Sequence, residues 1–121
     1  VITFDRAALD RYLSEDVGGP VIMLNLLRFR PGGEAKYTAY AEQFEAAGIT
    51  AKYGLEVLYA GLGSTALVAD DGQAWDMVVL VRYPSRQHFA NMIEDPAYQQ
   101  FEHLRTESLV ESVLQATTAV T

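Results

Sequence analysis

VIMLNLLRF, residues 21–29, is apolar at both alternating positions. In an extended chain Val21, Met23, Leu27 and Phe29 point one way, and Ile22, Leu24 and Leu26 point the other. Pro20 and Pro31 bound the run, which reads as a buried strand. WDMVVLVRY, residues 75–83, repeats the pattern, with Met77, Val79, Val81 and Tyr83 opposed to Val78 and Leu80. Strands apolar on both sides belong to a sheet that is covered on both faces.

Working outward, residues 4–13 carry Phe4, Ala8, Leu9 and Leu13 at helical spacing, with Thr3 as the predicted cap. Residues 16–20 form a turn. Downstream of Pro31, residues 34–47 place Tyr37, Tyr40, Ala41, Phe44 and Ala47 on one helical stripe, and Gly48 is a predicted stop. Residues 55–62 and 65–69 read as two strand pieces around Gly61 and Gly63, a bulged strand or a hairpin. Asp70-Asp71-Gly72 is a turn. Pro84 ends the next strand, and Ser85 caps a helical turn over residues 86–93. Asp95, with Pro96 in the first helical position, caps a helix running to about residue 110. Residues 113–120 form a closing strand.

The order is an extra helix followed by β, α, β, β, α, β. This predicts an α+β fold: a ferredoxin-like antiparallel sheet whose right-handed crossovers put both main helices on one face. Residues 1–121 are read as a single domain, with the N-terminal helix and turn over 1–19. The helix-free face is expected to be polar in such a unit, yet here it is apolar. A second copy of the sheet is the simplest cover, so a homodimer closing as an α/β barrel is expected.

Composition excludes several classes. There is no cysteine, hence no disulfide framework and no thiolate metal site. The net charge is −7, lysine occurs only at positions 36 and 52, and the arginines are scattered. No basic stripe exists to neutralise phosphates, so no nucleic-acid partner is expected, and no membrane partner either. No apolar run approaches the roughly 20 residues of a membrane span, and the first residues lack the pattern of a signal peptide. A cytoplasmic protein is the expectation.

Pro84-Ser85, Phe89-Ala90, Asp95-Pro96-Ala97-Tyr98-Gln99 and Leu104-Arg105 resemble the F-P-S … A … S-P-E-Y-Q … L-R segment of domain-of-unknown-function family 1330. Tyr53-Gly54-Leu55-Glu56-Val57-Leu58 resembles that family's Y-G-G-x-x-L strand. The likeness spans roughly residues 20 to 115. It implies the dimeric α/β-barrel fold and no established reaction. The same group includes cofactor-independent monooxygenases and haem-degrading enzymes. Residues 21–25 resemble the first strand of the haem degraders, whose functional Asn falls at Asn25. Met92 and Glu102 stand where those enzymes need Trp and an iron-ligating His.

Asn25 is a polar amide inside an apolar strand. It must be hydrogen-bonded or it costs about 1–3 kcal/mol. It is either tied to backbone at a bulge or strand end, or it lines a pocket between sheet and helices. Arg28 and Arg82 sit near strand ends, where they either pair with acids on the sheet rim or anchor a carboxylate. Arg105 either pairs with Glu102 or Glu111, or reaches into the sheet–helix cleft, as its place in the family pattern implies. His88 and His103 show no metal-ligand spacing, and no metal or bound cofactor is expected; histidine would suit a proton shuttle near neutral pH. Asn25, Arg82, His103 and Arg105 are the candidate ligand-binding residues, with Asn25 and Arg105 expected to share one cleft. Two functional readings follow: a small-molecule binder or cofactor-independent enzyme for a small organic acid or oxidisable aromatic, or a non-catalytic homodimeric binding or structural module.

Overall fold

The structure, a computed structural model, describes residues 3–121. Its elements are α1 (Arg6–Ser14), β1 (Val21–Phe29), α2 (Gly33–Ala46), α3 (Ile49–Tyr53), β2 (Glu56–Leu62), β3 (Met77–Tyr83), α4 (Arg86–Glu94), α5 (Pro96–Gln99), α6 (Glu102–Ser108) and β4 (Leu109–Thr117). The strands form one antiparallel sheet in the order β2-β3-β1-β4. This is the predicted ferredoxin-like arrangement, with the strands that are apolar on both sides, β1 and β3, at the centre.

Register fixes the two faces. Asn25 pairs with Val79 on one side and with Leu114 on the other, so these residues share the helix-covered face with Val21, Met23, Leu27, Val81 and Tyr83. Leu26 pairs with Val78 and Val113, and Leu24 with Leu80, on the face without helices. The main core lies between sheet and helices, where Val21, Met23, Tyr83, Phe89, Met92, Tyr98 and Phe101 are buried together. A smaller cluster of Leu27, Val79 and Leu109 closes one end.

Several predicted boundaries differ. The cap of α1 is Asp5, whose carboxylate accepts from the Ala8 N–H at 3.1 Å, not Thr3. A short helix, α3, follows Gly48, which serves as stop for one helix and start for the next with φ 70°. Residues 65–69 are not a strand. β2 pairs with β3 only as far as Leu62↔Met77, and Gly63 then packs so closely that a Cβ there would lie 1.8 Å from the Trp75 carbonyl oxygen. Leu67 and Val68, 91% and 97% exposed, find no strand to pair with. The predicted helix from Pro96 is broken at Phe101, whose φ −122° and ψ 3° turn its ring into the core between α5 and α6. β4 then starts at Leu109, earlier than residue 113, because fully buried Leu109 and Ser108 lock the corner. The Ser108 hydroxyl donates to the Arg105 carbonyl at 2.6 Å, and the Ser108 carbonyl accepts from the Arg30 N–H at 2.9 Å.

Among the described residues no helix is long and apolar enough to cross a membrane.

Candidate functional site

A cavity of about 800 Å³ lies between the covered sheet face and the helices. Its floor is sheet: Met23, Asn25, Val79, Val81 and Leu114. Its roof is Tyr37, Tyr40 and Phe44 from α2, with Tyr98, Glu102 and Arg105 from α5 and α6. At the far end α1 contributes Leu9 and Tyr12.

The α2 stripe Tyr37, Tyr40 and Phe44 follows helical spacing, so one face of the helix presents its rings together. Tyr37 and Tyr40 lie 5.5 Å apart by ring centroid, and Tyr40 and Phe44 5.9 Å. Tyr98 meets Tyr40 edge-on, and their hydroxyls share a hydrogen bond of 3.1 Å. Two hydroxyl hydrogens serve that pair and one is used within it, which leaves one O–H to donate elsewhere.

Asn25 and Arg105 meet in this cavity. The Arg105 guanidinium donates to the Asn25 side-chain oxygen at 3.3 Å, and the Asn25 amide donates to the Val79 carbonyl at 3.4 Å. The break at Phe101 sets the phase of α6 that turns Arg105 toward the sheet. Arg6, Arg28, Arg82 and Arg86 each have a carboxylate partner; Arg105 has none among the described residues. Around it burial pushes the Tyr40 phenol well up, Tyr98 up to about 12, and Tyr37 up, while the Arg105 charge pulls each back. Burial also raises the Glu102 carboxyl, against the pull of Arg105 one turn on. All these phenols are neutral donors at pH 7, and Glu102 is the nearby group able to accept a proton.

The other predicted site residues do not join them. Arg82 lies on the helix-free face opposite Ile22, where it pairs with Glu56 at 3.5 Å. Strand alternation carries it away from Val81 and Tyr83, which face the cavity. His103 is exposed, because one residue along α6 turns a side chain by about 100° from Glu102. His88 is also exposed, and its ring nitrogen meets the capping Ser85 hydroxyl at 2.7 Å. Arg28 is a rim residue: it pairs with Glu111 at 2.8 Å, stacks over Trp75 at 4.7 Å, and donates to the Gly72 and Ala74 carbonyls. Sequence reasoning passed over the Tyr40–Tyr98 pair and Glu102. The helical stripe of aromatics was visible, but the contact between residues 58 positions apart was not.

Comparison with known proteins agrees with this architecture. The profile of the family described as domain of unknown function (DUF1330) matches residues 27–117. A Rhodopseudomonas palustris protein of unknown function is similar at 26% identity and a TM-score of 0.88, over 99% of this chain and 97% of that one. A dimeric ferredoxin-like protein of unknown function from a Jannaschia species gives a TM-score of 0.63 at 9% identity, over 84% and 100% of the two chains. A Bacteroides thetaiotaomicron protein described as a putative antibiotic biosynthesis monooxygenase gives 0.59 at 18% identity, over 85% and 91%. The last two likenesses concern the fold alone. No curated protein matches the chain.

Proposed function

This chain belongs to the DUF1330 family, and from that premise we propose that it is a small-molecule-binding protein whose ligand carries an anionic oxygen on an apolar or aromatic body. The observation that carries the reading is Arg105: a half-buried guanidinium in an aromatic cavity, oriented by Asn25 and without a carboxylate partner among the described residues. A charge taken out of water needs a counter-charge or several hydrogen bonds. A ligand carboxylate would supply both, with the free Tyr40–Tyr98 hydrogen as a further donor. The same donors would favour negative charge on an enolate or phenolate oxygen more strongly in a dry cavity than in water. The volume fits a drug-sized molecule, and the aromatic walls fit an arene.

The working unit we propose is a homodimer in which a second copy covers the apolar, helix-free face. Two structural relatives are described as dimeric. A purely structural module would have no use for an open cavity beneath an unpaired arginine.

A thermal-shift screen tests the ligand class. Aryl carboxylates should raise the melting midpoint, because binding to the folded form stabilises it, and their neutral methyl esters should not. Equal shifts from acid and ester, or none from any acid, would remove the reading.

A further inference from the structure

Glu102 has no part in holding an anion, yet it stands beside the arginine that would hold one. It is the first residue of α6, three before Arg105, and at that helical spacing the two side chains share a face with Cβ atoms about 5–6 Å apart. Both line the cavity. Among the described residues no ion pair includes Glu102. The other carboxylates that line the cavity, Asp5, Glu15 and Glu45, are exposed. Two of them are engaged: Asp5 caps α1 through the Ala8 N–H, and Glu45 accepts from the Thr50 hydroxyl at 2.5 Å. Glu102 alone of the four is partly buried. Burial raises its carboxyl, Glu94 adds to the rise and Arg105 opposes it, so Glu102 is a stronger base than a glutamate in water. A negative charge at this place works against binding a carboxylate. Its presence there calls for a task other than binding.

From this pairing we infer that the cavity acts on what it binds: Glu102 takes a proton from the carbon beside a ketone whose oxygen lies on Arg105, enolising a 2-oxo acid with an apolar or aromatic body. Such an acid carries its carboxylate and ketone oxygens side by side, a match for the planar guanidinium fork. The carbon that bears the acidic hydrogen is the next atom along, within reach of a carboxylate one helical turn from Arg105. The remainder of the molecule lies over the apolar floor of Met23, Val79 and Val81. In the step, the C–H bond breaks and its electron pair forms a C=C bond. The carbonyl π pair moves onto the oxygen, where Arg105 stabilises the new charge. Glu102 holds the proton, then returns it to the same carbon or gives it to the oxygen, which yields the enol. Nothing is oxidised or reduced and no co-reactant enters. Because Glu102 is only partly buried, the proton it holds exchanges with water. The inference rests on the anion-binding reading of Arg105 and adds a reaction to it.

The test uses two probes. Phenylpyruvate has hydrogens beside its ketone, and proton NMR in deuterium oxide follows their replacement by deuterium. Benzoylformate is a 2-oxo acid with no such hydrogen, and calorimetry measures its binding alone. The wild type should bind both and should exchange phenylpyruvate faster than matched buffer, with a rate that saturates. Glu102→Gln and Glu102→Ala should each lose that exchange by roughly a hundredfold or more, the usual worth of a positioned base. Both variants should bind benzoylformate at least as tightly as the wild type, since a like charge has been removed. Exchange that survives in a variant, or a wild type that binds benzoylformate without exchanging phenylpyruvate, overturns the role of Glu102 and leaves the Arg105 reading in place. Loss of benzoylformate binding by both variants would make Glu102 part of the binding site and overturn its role as the base. If the wild type binds neither acid, both readings fall.

Discussion

The two faces of this sheet are made by the same strands, yet their side chains meet different surroundings. On one face Val21, Met23, Leu27, Val79 and Tyr83 are buried under helices supplied by the chain itself. On the other, Ile22, Leu24, Leu26, Val78, Leu80 and Val113 are only half-buried, with no helix above them. The polar groups differ too. The covered face keeps one amide, Asn25, under an unpaired arginine. The bare face keeps its charges at the ends, with Arg28–Glu111 at one and Arg82–Glu56 at the other. An apolar centre with a charged rim is the anatomy of a protein–protein interface, whereas a lone charge above an apolar floor is the anatomy of a ligand site. The reading proposed above therefore assigns one face to another copy and the other to a small molecule.

Leu26→Asp probes that division most severely. It puts a carboxylate at the middle of the bare face, between Val78 and Val113. Burying an unpaired charge in an interface that resembles a split core costs several kcal/mol. Light scattering should report a monomer mass at micromolar concentration, with loss of much of the fold. A dimer mass retained by this variant, or a monomer mass for the wild type, would break the assignment of the bare face to a partner.

Leu27→Ala is the matching change on the other face. Leu27 is 0% exposed within the chain, so truncation should cost about 2–5 kcal/mol by denaturant unfolding. The mass of the protein that remains folded should stay that of the dimer. The adjacent positions 26 and 27 thus separate association from core packing, and an exchange of the two outcomes would mean that the faces are assigned backwards.

Arg105→Lys acts at a single point of the covered face. It keeps the charge and loses the planar fork, so affinity for an aryl carboxylate should fall roughly tenfold, as a bidentate contact becomes a point charge. Unfolding free energy should fall by no more than about 1 kcal/mol, the usual worth of one hydrogen bond such as that to Asn25. Calorimetry showing unchanged affinity would detach Arg105 from the ligand.

The division between faces was only partly legible in the sequence. Period-two apolarity bounded by prolines identified β1 and β3, and their double-sided character pointed to the bare face. Alternation also placed Arg82 with Val78 and Leu80, opposite to Met77 and Val81. Which of those sets the helices would cover was not readable, and that unread choice is why Arg82 was grouped with Asn25. Asn25 stood out because an amide in an apolar strand demands a partner. Its partner Arg105 came from resemblance, because 80 residues separate them and no local pattern links them. Local preference misled at residues 65–69, where strand-favouring residues have no neighbour to pair with. It misled again at Phe101, where helical spacing continues across a break made by core packing.

The smallest expected effect lies off both faces, in the helical layer, and it sharpens the comparison by titrating where they do not. Asp95 caps α5 through the Ala97 N–H at 2.8 Å and is held by Lys52 at 2.8 Å and by the Tyr53 hydroxyl at 2.5 Å. These partners, Lys52 first, lower its carboxyl from 3.8 to about 2. A carboxyl whose folded value lies below its unfolded value contributes stability that is present above the unfolded value, near pH 4, and is lost as pH falls toward 2. Asp95→Asn removes that charge but leaves an oxygen to cap the helix. The variant should melt below the wild type at pH 7, and the gap should close as the pH is lowered from 4 to 2. The gap made by Leu27→Ala should remain over the same interval, because nothing ionises when an alkyl group is deleted. A gap for Asp95→Asn that stayed constant with pH would show that the capping bond alone supports this junction and that Lys52 contributes nothing to it.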